Sequence, residues 1–219
     1  MDWFLIVRKH FKEIKFKNMR RMNLFIIFII GIVVSIILFQ SFIMAPSNKT
    51  EQQKYSLVRE YGDFEIRFYP SSTIATINSG ARTYSELSGP GFRKLAGYIF
   101  GDNASNEKIS MTAPVQMDIN DSGSTMSFVM PSAYNQNNLP KPNDPNVQIK
   151  STADEYVAAI KFGGFASDKD LKFYSEKLKN LLDHNKIVSF GNYRYYGYNP
   201  PYQLVGRRNE IVVSVFWKE

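Results

Sequence analysis

The chain has 219 residues but contains no cysteine, and its only histidines are His10 and His184. Without cysteine the protein can form no disulfide, bind no iron through a thiolate and carry no redox thiol. With a single histidine after residue 50, a zinc site of ordinary composition is disfavoured. No nucleophile is accompanied by a base and an orienting group at a recognisable spacing, and carboxylates occur singly or in loops. The sequence therefore predicts no catalytic residue and no metal site, and the protein is not expected to be an enzyme.

Positive charge is concentrated at the N-terminus and is scarce elsewhere. Residues 1–21 hold seven Lys and Arg against two acidic residues, which accounts for +5 of the formal net charge of +7. The rest of the chain carries only about +2. This is too little for the basic surface that nucleic-acid binding requires, so we expect no nucleic-acid partner.

Charged residues are absent between Arg21 and Lys49, and most of that stretch is apolar. Extended to Met44, the apolar run reaches about 20 residues, enough to cross the hydrocarbon core of a bilayer. A buried core helix and a cleaved signal peptide are the alternatives. The run is hydrophobic all round, is longer than a usual signal core and lacks a clear A-x-A cleavage site, which favours an uncleaved anchor. The lipid bilayer is therefore a predicted partner.

The excess of Lys and Arg before the apolar run predicts that the N-terminus stays in the cytosol. The remainder of the chain then lies on the non-cytosolic side, which is the periplasm if the organism is bacterial. We divide the chain into a basic cytosolic segment (residues 1–22), a single-pass transmembrane helix (23–44), a linker (45–54) and one domain (55–219).

Within the domain, residues 92–115 combine a helical pattern with a strand pattern. Apolar residues at helical spacing begin at Phe92, and Gly101 offers a helix C-terminus. From Lys108 to Ile119 the period changes to two, which predicts a half-buried strand. Pro114 cannot donate to a strand ladder, so it predicts an edge, a bulge or the end of pairing there. Residues 89–91, Gly-Pro-Gly, are expected to split the helix.

The order of the predicted elements repeats in the two halves of the domain. After a hairpin at residues 55–69, the first half reads strand, helix, strand, strand, at residues 73–78, 82–100, 108–119 and 125–130. The second half has the same order after a loop at 134–146, at residues 155–162, 168–184, 193–198 and 210–217. We predict an α+β fold in which duplicated βαββ units form a distorted antiparallel β-barrel flanked by two helices.

Three groups of side chains offer a binding site but also have structural interpretations. Met111, Met117, Met126 and Met130 are either thioether ligands or core residues. The tyrosines between 193 and 202 either stack on a planar ligand or form an aromatic-rich strand. Arg207 and Arg208 either pair with ligand carboxylates or hold the loop before the last strand, with Arg208 bound to Glu210.

The motifs of the domain resemble those of the SOUL family of heme-binding proteins. They are KLAGYIFGDN, KISMTAPV and FVMP, followed by GYNPP and GRRNEIVVSVFW, in this order between about Tyr55 and Trp217. The resemblance implies the barrel architecture described above. It also implies that heme or another tetrapyrrole binds non-covalently in a hydrophobic groove beside the first helix of the domain.

Carried over to this chain, the groove comprises residues of that helix, of the turn after Tyr198 and of the following loop. The expected ligand-binding residues are Phe92, Lys94, Leu95, Ile99, Tyr198, Tyr202 and Arg207. His184 is either an axial ligand of the iron or an exposed residue at the C-terminus of a helix.

Two functions are consistent with the sequence. The first is a membrane-anchored, non-catalytic binding protein for heme or a related planar ligand. The second is a SOUL-fold protein that has lost heme binding and acts as a partner-binding or structural module at the membrane, with a protein partner that the sequence does not identify. A saturable one-to-one Soret band on addition of hemin separates the two.

Overall fold

The computed structural model describes residues 22–39 and 50–218. The chain divides into two compact units, Met1–Pro46 and Ser47–Glu219, and each is described by itself. The predictions for residues 1–21 and 40–49 lie outside the described residues.

The first unit contains a helix, α1, over Met22–Phe39. Its 18 residues include no charged side chain, and all of them are exposed within the structure. A helix of this length and composition is long enough to be a candidate membrane span. A signal sequence near the N-terminus has the same properties.

The second unit contains eleven strands and two helices in its described part. The strands are β1 (Glu51–Gln52), β2 (Ser56–Glu60), β3 (Glu65–Tyr69), β4 (Thr73–Ser79), β5 (Thr112–Ala113), β6 (Val115–Asn120), β7 (Gly123–Val129), β8 (Gln148–Ser151), β9 (Glu155–Phe162), β10 (Ser189–Gly197) and β11 (Asn209–Val215). The helices are α2 (Tyr84–Ile99) and α3 (Asp168–His184).

Nine strands form one antiparallel sheet in the order β2-β3-β9-β11-β10-β6-β7-β4-β8. The units β4-α2-β6-β7 and β9-α3-β10-β11 have the same order, and within the sheet they run β4-β7-β6 and β9-β11-β10. They meet at their equivalent strands, where Met117 of β6 pairs with Tyr195 of β10. The predicted duplicated βαββ fold is therefore confirmed, as a curled half-barrel.

The two faces of the sheet have different environments because successive side chains of a strand point to opposite faces. The helix face, covered by α2 and α3, holds the main core, with residues such as Leu95, Met126 and Ile211. The helix-free face holds a smaller cluster around Tyr69, Tyr196 and Val212.

Helix α2 is continuous through Gly89-Pro90-Gly91, so the predicted split of the helix is wrong. Its buried positions Leu87, Gly91 and Leu95 follow one line at a spacing of four, and packing of this line on the sheet holds the helix together. Pro90 is exposed. Gly91 lets the sheet approach closely, since a Cβ atom there would lie 3.1 Å from Cε of Met126.

The strand predicted at residues 108–119 is shorter and is interrupted. Residues 108–111 form no strand, and Pro114 separates β5, which pairs with β1, from β6, which pairs with β7 and β10. Of the three outcomes predicted at Pro114, an edge, a bulge or the end of pairing, the structure has the end of pairing. The short strands β1 and β8 were not predicted.

Candidate functional site

One flank of α2 presents an apolar strip at the edge of the core. The ring of Phe92 lies 5.3 Å from that of Phe128, on β7. Val115 of β6 is the cross-strand neighbour of Phe128. Phe92 and Val115 are both half-buried at the periphery of the core. Phe92 and Val115 therefore both neighbour Phe128 at the edge of the core.

Met111 extends this strip. After α2 the chain turns back toward the sheet, and the amide of Ile109 donates a hydrogen bond of 2.8 Å to the carbonyl of Ile99 at the end of the helix. It then reaches Thr112, whose hydroxyl donates to the carbonyl of Val129. Met111, between these anchors, is half-buried against the core. We call Phe92, Met111 and Val115 the α2 groove.

The other three methionines of the predicted set are core residues. Met117, Met126 and Met130 have at most 5% of their surface exposed. Met111 is therefore the member of this set whose thioether a surface ligand can reach.

The four residues predicted on α2 do not share one surface. Leu95 and Ile99 are at most 1% exposed and pack into the main core, so they support the groove from below. Lys94 follows Phe92 by two residues, which is about 200° around a helix. Lys94 acts electrostatically on Asp144 of the loop before β8, on the other flank.

Tyr202 and Arg207 lie in the loop between β10 and β11. Arg207 donates to the carbonyls of Pro200 and Gln203, at 2.7 and 2.8 Å, and its guanidinium lies 4.5 Å from the ring of Phe165. These bonds hold the loop in shape while Tyr202 stays 61% exposed.

Tyr198 belongs to the helix-free face. Its hydroxyl donates to Glu210 at 2.8 Å, and its ring packs at the edge of the Tyr69 and Tyr196 cluster. The sheet therefore separates Tyr198 from the α2 groove. The predicted pairing of Arg208 with Glu210 is confirmed, at 2.8 Å.

Glu210 is the centre of a buried ionic network on the helix-free face. Arg67 and Glu210 have fully buried side chains and form a bidentate pair at 2.8 and 3.0 Å. Glu65 also binds Arg67, at 2.7 Å, and the ring of Tyr55 lies 4.3 Å from its guanidinium. The network fixes β3 to β11 across β9.

The charges of this network reinforce one another. Burial alone would raise the pKa of Glu210, but hydrogen bonds from Arg67 and Arg208 lower it below its ordinary value. Burial, and then the negative charge of Glu210, raises the pKa of Tyr198, so its hydroxyl stays a donor. At neutral pH the carboxylate is therefore fully ionised and saturated with donors.

His184 lies at the end of α3 opposite to the end that contacts α2. It is exposed as the last residue of α3. The first residue of α3, Asp168, accepts a hydrogen bond from the amide of Tyr84 at the start of α2. At 1.5 Å per residue, His184 is about 24 Å along α3 from that contact. Among the described residues, no three His, Asp or Glu side chains are grouped to hold a metal ion.

The described domain is a curled α+β sheet built from two βαββ units, with the helix of each unit packed against the main core. A family model described as SOUL heme-binding protein matches residues 50–214. The chain therefore belongs to the SOUL family, and heme is the cofactor that this membership supports.

Curated relatives agree with this assignment. Heme-binding protein 2 of Mus musculus is 32% identical over 159 residues, covering 68% of this chain and 77% of the relative. Heme-binding protein 1 of Xenopus laevis is 28% identical over 155 residues, covering 68% of this chain and 81% of the relative.

Among solved structures, the EcmrR C-terminal domain has a TM-score of 0.52 at 11% identity and covers 75% of this chain and 99% of that chain. A hydrolase from Listeria innocua has a TM-score of 0.51 at 8% identity and covers 73% of this chain and 94% of that chain. At these identities the likeness concerns the fold alone.

Val115 is a residue of the α2 groove that the sequence analysis did not name, and Met111 was named only as either a thioether ligand or a core residue. Both occur in the KISMTAPV motif and in the period-two pattern from Ile109 to Met117. That pattern indicates burial, but it does not show that Met111 and Val115 are half-buried while Met117 is covered.

Proposed function

We propose that the protein is a non-catalytic heme-binding protein that is anchored in a membrane by α1, and that heme lies in the α2 groove. The observation that carries the site is the strip of half-buried apolar side chains, Phe92, Met111 and Val115, beside α2. A porphyrin is flat and mainly apolar, so it can cover such a strip and remove it from water.

The residues at the groove suit a non-covalently held heme. Phe92 offers an aromatic ring for stacking, and Met111 offers a thioether to the iron. Arg93 follows Phe92 directly, and Lys108 lies three residues before Met111. Both are exposed cations, and they are the proposed partners of the propionates. Heme supplies the iron and the conjugated ring, while the protein binds and orients it for transport, buffering or sensing.

A hemin titration of residues 47–219 tests the site. This segment is one compact unit, and omitting α1 avoids partition of hemin into lipid. We expect a saturable one-to-one Soret band. Phe92→Ala and Met111→Ala should each weaken binding by about five- to twentyfold, from the loss of roughly 1–2 kcal/mol of apolar contact. Met111→Ala should also shift the band if the thioether binds the iron.

Lys94→Ala is the matched control on the other flank of α2 and should leave hemin affinity unchanged. The proposed groove is refuted if Lys94→Ala weakens binding while Phe92→Ala and Met111→Ala do not. A broad spectrum that never saturates would refute heme binding itself.

The proposed anchor and its orientation rest on the composition of residues 1–44. The basic residues before α1 favour a cytosolic N-terminus. Because the chain has no cysteine, single cysteines can report topology. A membrane-impermeant maleimide should label Ser122→Cys without lysis and Asn18→Cys only after lysis. The opposite labelling pattern would show that the orientation is reversed. Recovery of the protein in the alkaline-soluble fraction would show that the chain is not anchored in the membrane.

The β10–β11 loop favours a second candidate function, partner binding. Tyr202, Leu204 and Val205 are between 54% and 61% exposed in a loop held in shape by Arg207. If hemin does not saturate, crosslinking from a photoreactive residue at position 202 in membranes tests this function. The expected result is one discrete adduct, and a diffuse smear would contradict a specific partner.

A further inference from the structure

A second cleft lies where the two βαββ units meet, between α3 and the strands β6, β10 and β11. Its floor is formed by Met117 and Ile119 of β6, Tyr193 of β10 and Ile211 of β11, and Leu171 and Ser175 of α3 lie along its side. The cleft has a volume of about 380 Å³. This lies within the range of small-molecule sites, toward its lower end.

No described residue lines both the cleft and the α2 groove, although Met117 of the cleft follows Val115 of the groove by two residues on the same face of β6. Tyr84, at the start of α2, packs edge-on against Tyr195 with ring centroids 5.2 Å apart. Asp168 accepts from the amide of Tyr84 at 2.5 Å and from the hydroxyl of Ser85 at 2.8 Å. These contacts bring the starts of α2 and α3 together at one end of the cleft. Phe92 lies about 12 Å further along α2.

The polar groups of the cleft define what it can recognise. The hydroxyl of Tyr193 is buried and forms no hydrogen bond within the described part of the chain. Burial raises the pKa of Tyr193, Ser189 opposes this, and the negative charge of Asp183 adds to the rise. The hydroxyls of Tyr193 and Ser189 do not meet hydrogen-bond geometry. Tyr195 is not available as a donor, since its hydroxyl donates to Asn209 at 2.7 Å. A buried, unsatisfied hydroxyl is costly, and a ligand acceptor relieves that cost.

Positive charge at the mouth comes from Lys172 and from two helix N-termini, and the carboxylate of Asp168 opposes it there. The N-termini of α2 and α3 meet there, and helix N-termini carry partial positive charge. The carboxylate of Asp168 is occupied in capping α2. Lys172, on the rim, is exposed and forms no ion pair among residues 50–218.

We propose that this cleft is a second ligand site, for a small flat molecule of one or two rings that carries an anionic group. The rings pack between the half-buried side chains of Ile119 and Leu171. The Tyr193 hydroxyl donates to the ligand, and Lys172 pairs with the anionic group. The site does not depend on heme binding.

The test uses the full chain in lipid nanodiscs, with 2-naphthalenesulfonate as the probe and empty nanodiscs as the blank. Isothermal titration calorimetry should show saturable one-to-one binding. Tyr193→Phe should weaken it by about three- to tenfold, the value of one hydrogen bond. Lys172→Gln should weaken it about two- to fivefold, as for an exposed ion pair. Ser175→Phe, which fills the cleft, should abolish it.

Lys179→Gln removes the same charge from α3 beyond the cleft and should leave affinity unchanged. Thermal unfolding of each variant checks folding, and Tyr193→Phe decides the question if Ser175→Phe does not fold. Non-saturating heats with the wild-type chain, or full affinity in folded Ser175→Phe and in Tyr193→Phe, would overturn the proposal. Equal binding of a naphthyl ammonium probe would overturn the anionic class. Hemin affinity should stay unchanged in all these variants. A negative result for the cleft is therefore distinguishable from a negative result for the proposed heme site.

Discussion

Replacing Glu210 by Gln is the most direct test of the buried ionic network. The Glu210 carboxylate accepts five hydrogen bonds, two from Arg67, two from Arg208 and one from Tyr198. Glutamine keeps the shape of the side chain but carries no charge. Its amide nitrogen is a hydrogen-bond donor, and it faces arginine groups that are donors themselves. Arg67, with a fully buried side chain, would keep only Glu65 as a charged partner.

The expected loss follows from this burial. Breaking a buried ion pair by removing one partner costs about 3–5 kcal/mol, because the remaining charge is left uncompensated. Five charge-assisted bonds at about 1.5–3 kcal/mol each would sum to more, but they share one carboxylate and are not additive. We therefore expect Glu210→Gln to lower the free energy of unfolding by about 3–5 kcal/mol.

Urea unfolding of residues 47–219, followed by tyrosine and tryptophan fluorescence, measures this loss. Lys177→Gln is the control, because it removes an ion pair to Asp63 whose side chains are 40% and 61% exposed. Its cost should be below about 1 kcal/mol. The double variant Arg67→Met, Glu210→Met should lose less than the sum of the single changes. A Glu210→Gln protein within about 0.5 kcal/mol of the wild type would refute the reasoning.

Three further predictions concern pH, packing and loop order. The pKa of Glu210 is lowered from its ordinary value of 4.5. The ionised carboxylate therefore contributes fully to stability above pH 4.5, and this contribution is lost as the pH falls through the lowered pKa. In acid unfolding, the stability of Glu210→Gln should depend less on pH than that of the wild type. Gly91→Ala should lower the free energy of unfolding in urea by about 1–3 kcal/mol, because the new Cβ would meet Met126. Gly97→Ala is the control on the same helix. The new Cβ there would meet only Asp102, at 3.9 Å, so this change should raise the free energy of unfolding by up to about 1 kcal/mol. Arg207→Gln should speed proteolytic cleavage within residues 200–206 under native conditions, and an unchanged rate would show that its bonds to the Pro200 and Gln203 carbonyls do not order the loop.

The bounds of β9 and α3 were predictable because their local signals agree. In α3, Ser167 accepts from the amide of Asp170 as an N-cap, and the apolar residues keep helical spacing to Leu182. In α2 the local signals disagreed, and burial of Leu87, Gly91 and Leu95 prevailed over the break expected at Pro90. Periodicity shows that a face is buried but not how strongly its packing resists a local break.

The helix of the candidate site was predictable, but its groove was not. Phe92 and Lys94 are close in sequence, and only the direction in which α2 packs decides which of the two side chains meets β7. Likewise, strand alternation puts Tyr195 and Tyr198 on different faces, but it does not say which face the helices cover. Both facts depend on tertiary arrangement.

The sheet has two ends, at β2 and β8, because the half-barrel does not close on itself. An unpaired strand edge is a template on which a second chain can add its own strand. Arg59 and Glu60 on β2, and Lys150 on β8, lie at these ends, and β8 is only four residues long. Short, charged edges resist such additions. This resistance disfavours edge-to-edge pairing of the nine-stranded sheet with the sheets of neighbouring molecules.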